Sequence, residues 1–517
     1  MEALKQLPIG IQDFEKLRNG NYLYIDKTQF VYQLATTGCY YFLSRPRRFG
    51  KSMLISTLQA YFEGKKELFD GLAIANLEKD WIKYPVLHLD LNLTDFKSED
   101  SLDSILDTNL RQWEAIYGAK DYEKTFGLRF AGVVERACQQ TGQRVVILVD
   151  EYDKPILQTI DNEEVQEKYR STLKSFYGVL KTMDRYIQFA LLTGVTKFGK
   201  VSVFSDLNNL KDISMRKDNA AICGITDDEL DNALAPYTNR LAEELDMPIS
   251  DVREELRKRY DGYHFLENSV ALYNPFSVLN TFDSNRFGSY WFETGTPTYL
   301  VTLLKRHNYR LYEMDGIQVG EKTLNSIDAS SANPIPVIYQ SGYLTIKKYN
   351  PIKELYTLGF PNKEVEKGFI DFLLPYYTSI NEAQTPFFIS EFVDEIRSGD
   401  IDGFMNRLKS MFAVTPYDLI KDTENYYQNA IYLLCTLAGL QVNAEYKTAN
   451  GRIDMTLETA DTVYIFEFKF DKSAEEAMAQ INEKNYLLPS NYSGKKLVKI
   501  GVNFSSATRN IDSWIVG

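Results

Sequence analysis

Runs of consecutive hydrophobic residues alternate with helical stretches through roughly the first 220 positions of the chain. The runs VLHLDLN, RVVILVD and IQFALLTG are rich in hydrophobic residues, and we interpret them as continuous hydrophobic strands. This is typical of strands that are buried on both faces. Strands and helices in alternation predict a parallel sheet covered by helices. We therefore expect the first part of the chain to form a three-layer α/β domain.

The rest of the pattern divides into three further parts. A helical pattern extends from Thr226 to about Arg310, and a short helix with the strands GYLTIKKY and ELYTLGF lies between Ala332 and Tyr377. A helical connector follows, and the end of the chain has the pattern of a strand, a hairpin, a helix and a strand, which predicts a second α/β unit. The predicted domains are 1–225, 226–330, 331–415 and 416–517.

The composition limits the kinds of protein that this sequence can encode. With 517 residues, 44% hydrophobic and 25% charged, the chain has the composition of a multidomain soluble protein. No segment approaches ~18 uninterrupted apolar residues and no secretory signal is present, so we expect no membrane contact. The 4 cysteines stand far apart without a CxxC pair, which favours a cytoplasmic setting over a disulfide scaffold.

Charge and histidine content restrict the chemistry. The net charge of −13 argues against binding nucleic acid by bulk attraction, although it permits local contact. Only 3 histidines are present, so carboxylates and lysines are expected to perform any catalysis.

The segment YYFLSRPRRFGKSML, residues 40–54, has the order of a phosphate-binding loop: a buried strand, a tight turn and an amphipathic helix. Lys51 is expected to reach the β- and γ-phosphates of ATP, and Ser52 to place its hydroxyl on Mg2+. Arg45 stands where such loops usually begin with glycine, and Pro46 stiffens the same turn. A chance Gly-Lys-Ser therefore remains the alternative from this segment alone.

Two strand ends supply the remaining parts of a nucleotide site. The strand RVVILVD ends in Asp150 and is followed by Glu151. An ATPase needs one carboxylate for the metal and its waters, and a second to orient the attacking water. Asp150 is expected to take the first role and Glu151 the second. Thr193 ends the strand IQFALLTG and is a candidate sensor of the γ-phosphate, although threonine ends many strands.

These segments resemble the AAA-ATPase-like domain that opens a group of bacterial two-part proteins. The resemblance rests on residues 7–34, FLSRPRRFGKSML, VVILVDEYDKP and LLTGVTKFGKVSVFSDLNNLKDIS. In that group the loop is similar to RPRRFGKS, so arginine at position 45 agrees with the family. The resemblance implies that Arg47, Arg48 and Gly50 also bind the nucleotide. RYDGYHF and LYNPFSVLN resemble the helical lid that follows this domain.

The segment NGRIDMTLETADTVYIFEFKF predicts a β-hairpin whose register places two acids together. If residues 459–462 form the turn, Asp454 lies opposite Glu467, and Lys469 projects from the same face. The other face is then a core surface of Ile453, Met455, Phe466 and Phe468. Opposed carboxylates repel unless a cation lies between them. A divalent metal with a nearby lysine is what phosphodiester hydrolysis requires.

An ordinary half-exposed hairpin is the alternative, and a slip of one residue would move the acids to opposite faces. The flanking helices bear on the choice. The order of a helix with Glu424, a strand, Asp454, Glu467-x-Lys469 and a helix with Gln480 is similar to the PD-(D/E)XK nuclease superfamily. By this resemblance Asp454, Glu467 and Lys469 match its core triad. Glu424 matches the helix acid, Gln480 matches the polar residue of the second helix, and Glu445 is an additional candidate acid.

Together these features predict an α/β protein with a P-loop NTPase (AAA-like) domain, a helical lid, a connecting module and a PD-(D/E)XK restriction-endonuclease-like domain. The connecting module is either a winged-helix-like element or a structural coupling domain. The expected cofactors are ATP and Mg2+, with Mn2+ as an alternative at the second site. The expected partner is nucleic acid, DNA rather than RNA, and the chain can form an oligomer. The rival functions are a nucleotide-dependent switch with an inactive binding domain and, more remotely, a P-loop phosphotransferase.

Overall fold

The computed structural model describes most of the chain and divides it into two units. The first unit is Met1–Gly295 with Gln318–Val365, and the second is Thr296–Ile317 with Glu366–Gly517. The domain boundaries given above stay predictions. The described residues are 4–159, 162–197, 209–293, 300, 304, 309–325, 333–378, 385–416, 419–420, 423–448, 451–484 and 494–517.

A parallel sheet of five strands lies at the centre of the first unit, as predicted. Its order is β2-β3-β4-β1-β5, and each neighbouring pair is parallel. All residues of β1 and β3 are buried, which explains why their sequences are continuously hydrophobic. The expectation of burial on both faces is wrong for β2, because its buried Leu87 and Leu89 alternate with partly exposed Val86, His88 and Asp90. The strands are β1 (Tyr40–Ser44), β2 (Val86–Asp90), β3 (Val145–Asp150), β4 (Ile187–Gly194) and β5 (Lys211–Asp212).

Helices connect β1 to β2, β2 to β3 and β3 to β4, and a helical region follows β5 as the pattern after Thr226 predicts. The capping box of Thr226 and Glu229 begins that region, with hydrogen bonds in both directions. The helices up to this point are α1 (Phe14–Asn19), α2 (Thr28–Thr37), α3 (Lys51–Phe62), α4 (Ile74–Leu77), α5 (Ser101–Tyr117), α6 (Phe126–Thr141), α7 (Lys154–Gln158), α8 (Glu163–Tyr177), α9 (Val179–Thr182), α10 (Asp227–Asn232), α11 (Ala235–Glu244), α12 (Ile249–Tyr260), α13 (Pro275–Ser284) and α14 (Tyr290–Glu293).

A small antiparallel sheet of order β6-β8-β7 completes the first unit. Its strands are β6 (Gln318–Gly320), β7 (Thr345–Asn350) and β8 (Leu355–Gly359), and the helices beside them in sequence are α15 (Glu321–Asn325), α16 (Ile335–Gln340) and α17 (Lys363–Leu373).

The second unit contains a mixed sheet of order β13-β12-β11-β10-β9, in which β11 and β12 are parallel and the other pairs antiparallel. The last strand, β13, is an element that the sequence pattern did not predict. The elements of this unit after α17 are α18 (Thr385–Ser398), α19 (Ile401–Val414), α20 (Glu424–Leu437), β9 (Gln441–Thr448), β10 (Gly451–Glu458), β11 (Thr462–Phe470), α21 (Ala474–Lys484), β12 (Lys496–Ser505) and β13 (Asn510–Val516).

The hairpin of β10 and β11 has the predicted register, from Met455 paired with Phe466 to Glu458 paired with Val463. One part of the prediction is wrong, because Ile453 does not share the core face of Phe466. It packs instead with Ile465 and Ile481.

The physical reason is that the pairing of β10 with β11 does not extend to Ile453, because their ladder begins at Met455 and Phe466. The neighbouring strand is irregular at the same level. Glu445 of β9 has a φ of 54°, and the ladder of β9 and β10 omits the pair of Glu445 and Asp454 while keeping one register on either side.

No helix among the described residues is long and apolar enough to cross a membrane. All 4 cysteines are free thiols, and two of them, Cys223 and Cys435, are buried.

Candidate nucleotide and phosphodiester sites

The phosphate-binding segment has the local structure that its sequence predicts. Strand β1 leads into a turn, and α3 begins at Lys51 directly after Gly50, which has a φ of 97°. A side chain at position 50 would meet no neighbouring atom, so the requirement for glycine comes from backbone conformation alone. Ser52 lies in the first turn of α3 and is partly buried.

Arg45 is a structural part of this loop. Its backbone N–H donates to the carbonyl of Gly194 at 3.1 Å, which continues the parallel pairing of β1 with β4. The side chain is 1% exposed, and its guanidinium lies 4.1 Å from the ring centroid of Phe265. It donates to three backbone carbonyls, those of Ser44 (2.9 Å), Ser214 (2.8 Å) and Asn219 (3.2 Å). The planar guanidinium group has five N–H donors and can therefore bond these carbonyls together. Glycine has no side-chain donor, and the single ammonium group of lysine does not reproduce this planar arrangement.

The other two arginines of the loop are exposed. The carbonyl of Arg47 accepts a hydrogen bond from the indole of Trp291 at 3.1 Å, which holds the loop backbone. Arg48 has a φ of 65°, and its guanidinium lies 4.8 Å from the ring centroid of Phe276. Both side chains therefore lie on the solvent side of the loop. The family resemblance predicts that they bind the nucleotide.

Lys51 is buried and 4% exposed. Its Nζ donates to the carbonyls of Arg45 (3.1 Å) and Pro46 (3.2 Å) and lies 3.4 Å from Glu151 Oε1. The structure thus brings together the lysine of the loop and the carboxylate that was predicted to orient water. Both belong to the first unit, and neither is close to the other in sequence.

Asp150 and Thr193 meet at the carboxyl edge of the same sheet. Thr193 Oγ1 donates to Asp150 Oδ1 at 2.5 Å, and the N–H of Glu151 donates to the same oxygen at 3.1 Å. Glu151 has a φ of 54°, so the chain turns sharply after β3. Asp90, which sequence reasoning did not select, ends β2 and pairs in register with Asp150. It was detectable as an acid at the end of a buried strand.

Asp153 is a second residue that sequence reasoning missed. Its carboxylate is fully buried and accepts hydrogen bonds from the N–H groups of Val195 (3.2 Å) and Thr196 (2.6 Å) and from the Thr196 hydroxyl. Burial, and then the charge of Glu151, raise the pKa of Asp153 to about 6. Asp153 therefore joins the turn after β3 to the chain after β4, and the third acid of VDEYD was the available signal.

The chain after β4 is also held by Lys197, which no sequence signal marked. Its Nζ lies 3.1 Å from Asp212 and donates to Asn325 at 2.8 Å, while its backbone N–H donates to Gln340 at 2.6 Å. These bonds hold the chain just after β4, the strand of the candidate γ-phosphate sensor Thr193, in direct contact with α15 and α16 of the same unit. The part of the motif at residues 198–208 lies outside the described residues.

In the second unit the predicted hairpin brings Asp454, Glu467 and Lys469 together. Asp454 is 8% exposed, and its Oδ2 accepts from the N–H of Phe468 at 2.7 Å. Glu467 is 1% exposed, and its Oε1 accepts from Lys469 Nζ at 3.1 Å. Lys469 also donates to the carbonyl of Phe468 at 3.1 Å. Gln480 of α21 donates to the same Glu467 oxygen, so four of the predicted residues form one connected cluster.

The electrostatics of this cluster favour a bound cation. Burial, and then the charge of Asp454, raise the pKa of Glu467 to about 7, and Lys469 partly offsets them. Burial also raises the pKa of Asp454. Glu424, at the first position of α20, has a pKa that is raised by burial and by Asp454. Two carboxylates are thus held in a low-dielectric position where their negative charges oppose one another.

Glu445 lies beside this cluster and forms an ion pair with Arg452. Burial raises the pKa of Glu445, and Asp454 contributes to the rise. Among the described residues no group of three or more His, Cys, Asp and Glu side chains is close enough to hold a metal ion. Mg2+, however, is commonly bound by one or two carboxylates with water and substrate phosphate. The donor set of Asp454 and Glu467 therefore fits Mg2+ or Mn2+, with Glu424 as a more distant acid.

Comparison with known proteins agrees with this division of the chain. A family model described as "Predicted AAA-ATPase" matches residues 8–204, and a model of the PD-(D/E)XK nuclease superfamily matches residues 422–514. The first range contains Lys51, Asp150 and Thr193, and the second contains Asp454 and Glu467. A protein of Azotobacter chroococcum mcd 1, "Uncharacterized protein in vnfD 5'region", is 36% identical over 523 residues, which covers 99% of each chain.

Proposed function

This chain belongs to the same family as the Azotobacter chroococcum protein, and we propose that its two domains act together. ATP binding and hydrolysis in the AAA-ATPase-like domain control a metal-dependent phosphodiesterase in the PD-(D/E)XK nuclease superfamily domain. The proposed substrate is nucleic acid, with DNA favoured over RNA. The proposed setting is the bacterial cytoplasm, and the protein can act as an oligomer.

In the first domain, Lys51 would exchange its contact with Glu151 for the β- and γ-phosphates of ATP. Ser52 and Asp150 would hold Mg2+, which would supply positive charge against the charge that develops on the phosphates. Glu151, released from Lys51, would orient the attacking water, and Thr193 would report the γ-phosphate through its bond to Asp150. Arg47, Arg48 and the backbone N–H of Gly50 would contact the phosphates from the solvent side.

In the second domain, Asp454 and Glu467 would hold Mg2+ or Mn2+, and Glu424 would add negative charge near the ion. The bound ion would polarise the scissile phosphate and lower the pKa of a bound water. Lys469 would orient that water or stabilise the added negative charge of the transition state. Gln480 fixes Glu467 by its hydrogen bond, so that the carboxylate keeps one orientation.

The single observation that carries the proposal is the burial of Asp454 and Glu467 together, with Lys469 bonded to the second acid. Two like charges in a buried position cost stability, and burial alone, without a ligand, offers no compensation for this cost. A bound divalent cation provides that compensation. The alternative of an inactive nuclease-like binding domain that responds to nucleotide is favoured by one observation, the absence of a three-acid cluster among the described residues.

The nucleotide half is tested with Lys51→Ala and Glu151→Gln in the full chain. Lys51→Ala is expected to abolish ATP binding by calorimetry, while Glu151→Gln is expected to retain binding and lose turnover. Parental ATP affinity in Lys51→Ala, or parental hydrolysis in Glu151→Gln, would contradict the assigned roles.

The nuclease half is tested with Mg2+ or Mn2+ and single- and double-stranded DNA and RNA. Asp454→Asn and Lys469→Ala are each expected to remove cleavage, and Lys469→Ala is expected to keep metal binding. The matched controls are Asp461→Asn, in the turn of the same hairpin, and Lys496→Ala, an exposed lysine of β12. If no substrate is cleaved and Asp454→Asn behaves as its parent does, the second domain is a binding module.

A further inference from the structure

A short segment from the middle of the chain forms part of the second unit, next to the cluster of Asp454, Glu467, Lys469 and Gln480. Residues 309–313 lie far before the range 422–514 that matches the nuclease superfamily, yet they belong to the same unit. Along the chain, this segment is preceded by Met1–Gly295 and followed by Gln318–Val365, both of the first unit.

Helix α20 holds the backbone of this segment through one buried amide. Asn429 is 0% exposed, and its Oδ1 accepts from the N–H of Leu311 at 3.0 Å. Its Nδ2 donates to the carbonyl of Tyr309 at 2.9 Å. Both ends of one side-chain amide are therefore used to fix the segment, and a 3-10 turn from Leu311 to Glu313 follows.

The preceding residue of the helix connects the segment to the acids. Tyr312 is 8% exposed, and its hydroxyl lies 3.1 Å from Gln428 Oε1 and 3.4 Å from Glu445 Oε1. Gln428, 2% exposed, donates through Nε2 to the backbone carbonyl of Asp454 at 2.9 Å. A buried chain of hydrogen bonds thus runs from Tyr312 through Gln428 to Asp454, at the level where β9 and β10 lose their regular pairing.

We propose that Tyr312 is a positioning residue of the phosphodiester site, which acts through Gln428 to fix the backbone of Asp454. The inference rests on the function proposed above. The ladder of β9 and β10 omits a pair between Glu445 and Asp454, so backbone pairing does not fix this point and the amide of Gln428 does. The Tyr312 hydroxyl fixes the orientation of that amide. Partners of this kind commonly change metal affinity by 10-fold or more.

The test measures Mn2+ affinity by calorimetry on the full, nucleotide-free chain. The Mn2+ binding that is lost in Asp454→Asn is assigned to the phosphodiester site. Tyr312→Phe deletes the hydroxyl and keeps the ring, and it is expected to weaken Mn2+ binding about 10-fold. The matched control is Tyr426→Phe on α20, because its buried hydroxyl donates to the carbonyl of Tyr377 and makes no contact with the acids. This control is expected to keep parental Mn2+ affinity.

A double-variant cycle separates positioning from general destabilisation. If Tyr312 acts through Gln428, then Gln428→Ala combined with Tyr312→Phe binds Mn2+ no more weakly than Gln428→Ala alone. Parental Mn2+ affinity in Tyr312→Phe, an equal loss in Tyr426→Phe, or losses that multiply in the double variant would each overturn the inference while leaving the proposed function intact. A parent chain that binds no Mn2+ at Asp454 would overturn both.

Discussion

Replacing Arg45 by glycine, the usual first residue of a phosphate-binding loop, is predicted to damage this loop. The substitution removes three hydrogen bonds to the carbonyls of Ser44, Ser214 and Asn219. At about 1 kcal/mol for each lost bond, the free energy of unfolding falls by about 3 kcal/mol. The greater freedom of glycine in the unfolded chain adds about 1 kcal/mol. The expected total is about 4 kcal/mol, together with weaker ATP binding.

The assay is urea unfolding of the full chain, in which the transition that ATP stabilises belongs to the first unit. The matched control is Arg48→Gly, in the same loop. Arg48 is exposed and has a φ of 65°, which glycine adopts without strain, so its unfolding free energy should change by less than about 1 kcal/mol. If Arg45→Gly unfolds with the parent and binds ATP as tightly, then the arginine fork does not shape the loop.

Three further predictions concern charge, metal and coupling. Burial raises the pKa of Asp261 to about 6, so the folded protein should lose up to about 3 kcal/mol of stability as pH rises from about 4 to above 6. Asp261→Asn should remove this loss and be more stable at pH 7, and an unchanged pH profile of urea unfolding would contradict it. Mg2+ should raise the unfolding temperature of the parent but not that of Asp454→Asn. Without metal, Asp454→Asn should be at least as stable as the parent, because its repulsion with Glu467 is gone. An equal rise in unfolding temperature with Mg2+ in both proteins would contradict this prediction. A non-hydrolysable ATP analogue should change amide hydrogen exchange at Leu311 in the parent and not in Lys51→Ala. If the analogue does not change exchange at Leu311 in the parent, the two units are not coupled.

The parts of the fold that follow local pattern were predictable from the sequence. Continuous hydrophobic runs identified the buried strands β3 and β4 of the parallel sheet, and a turn at residues 459–462 predicted the register of the hairpin. The carboxyl ends of parallel strands meet at one edge of a sheet, so Asp150, Glu151 and Thr193 were expected near Lys51, where the structure places them.

Features that depend on distant partners were not predictable. Two of the three carbonyls that Arg45 binds lie about 170 positions later in the chain, so the sequence alone showed that the glycine is missing but not what the arginine does in its place. Ile453 leaves its expected face where the pairing of β10 with β11 has ended, and no residue type there signals this change. The contact of Tyr312 with Gln428 joins residues more than 100 positions apart, in segments that share no motif.

The central claim is that nucleotide binding in the first domain controls metal-dependent cleavage in the second. The most direct measurement is the rate at which the full chain cleaves nucleic acid in Mg2+ or Mn2+, with and without ATP, in the parent, Lys51→Ala and Asp454→Asn. We expect cleavage in the parent that changes with ATP, cleavage in Lys51→Ala that ignores ATP, and none in Asp454→Asn. Cleavage by the parent at one rate with and without ATP, or cleavage that survives in Asp454→Asn, would contradict the account.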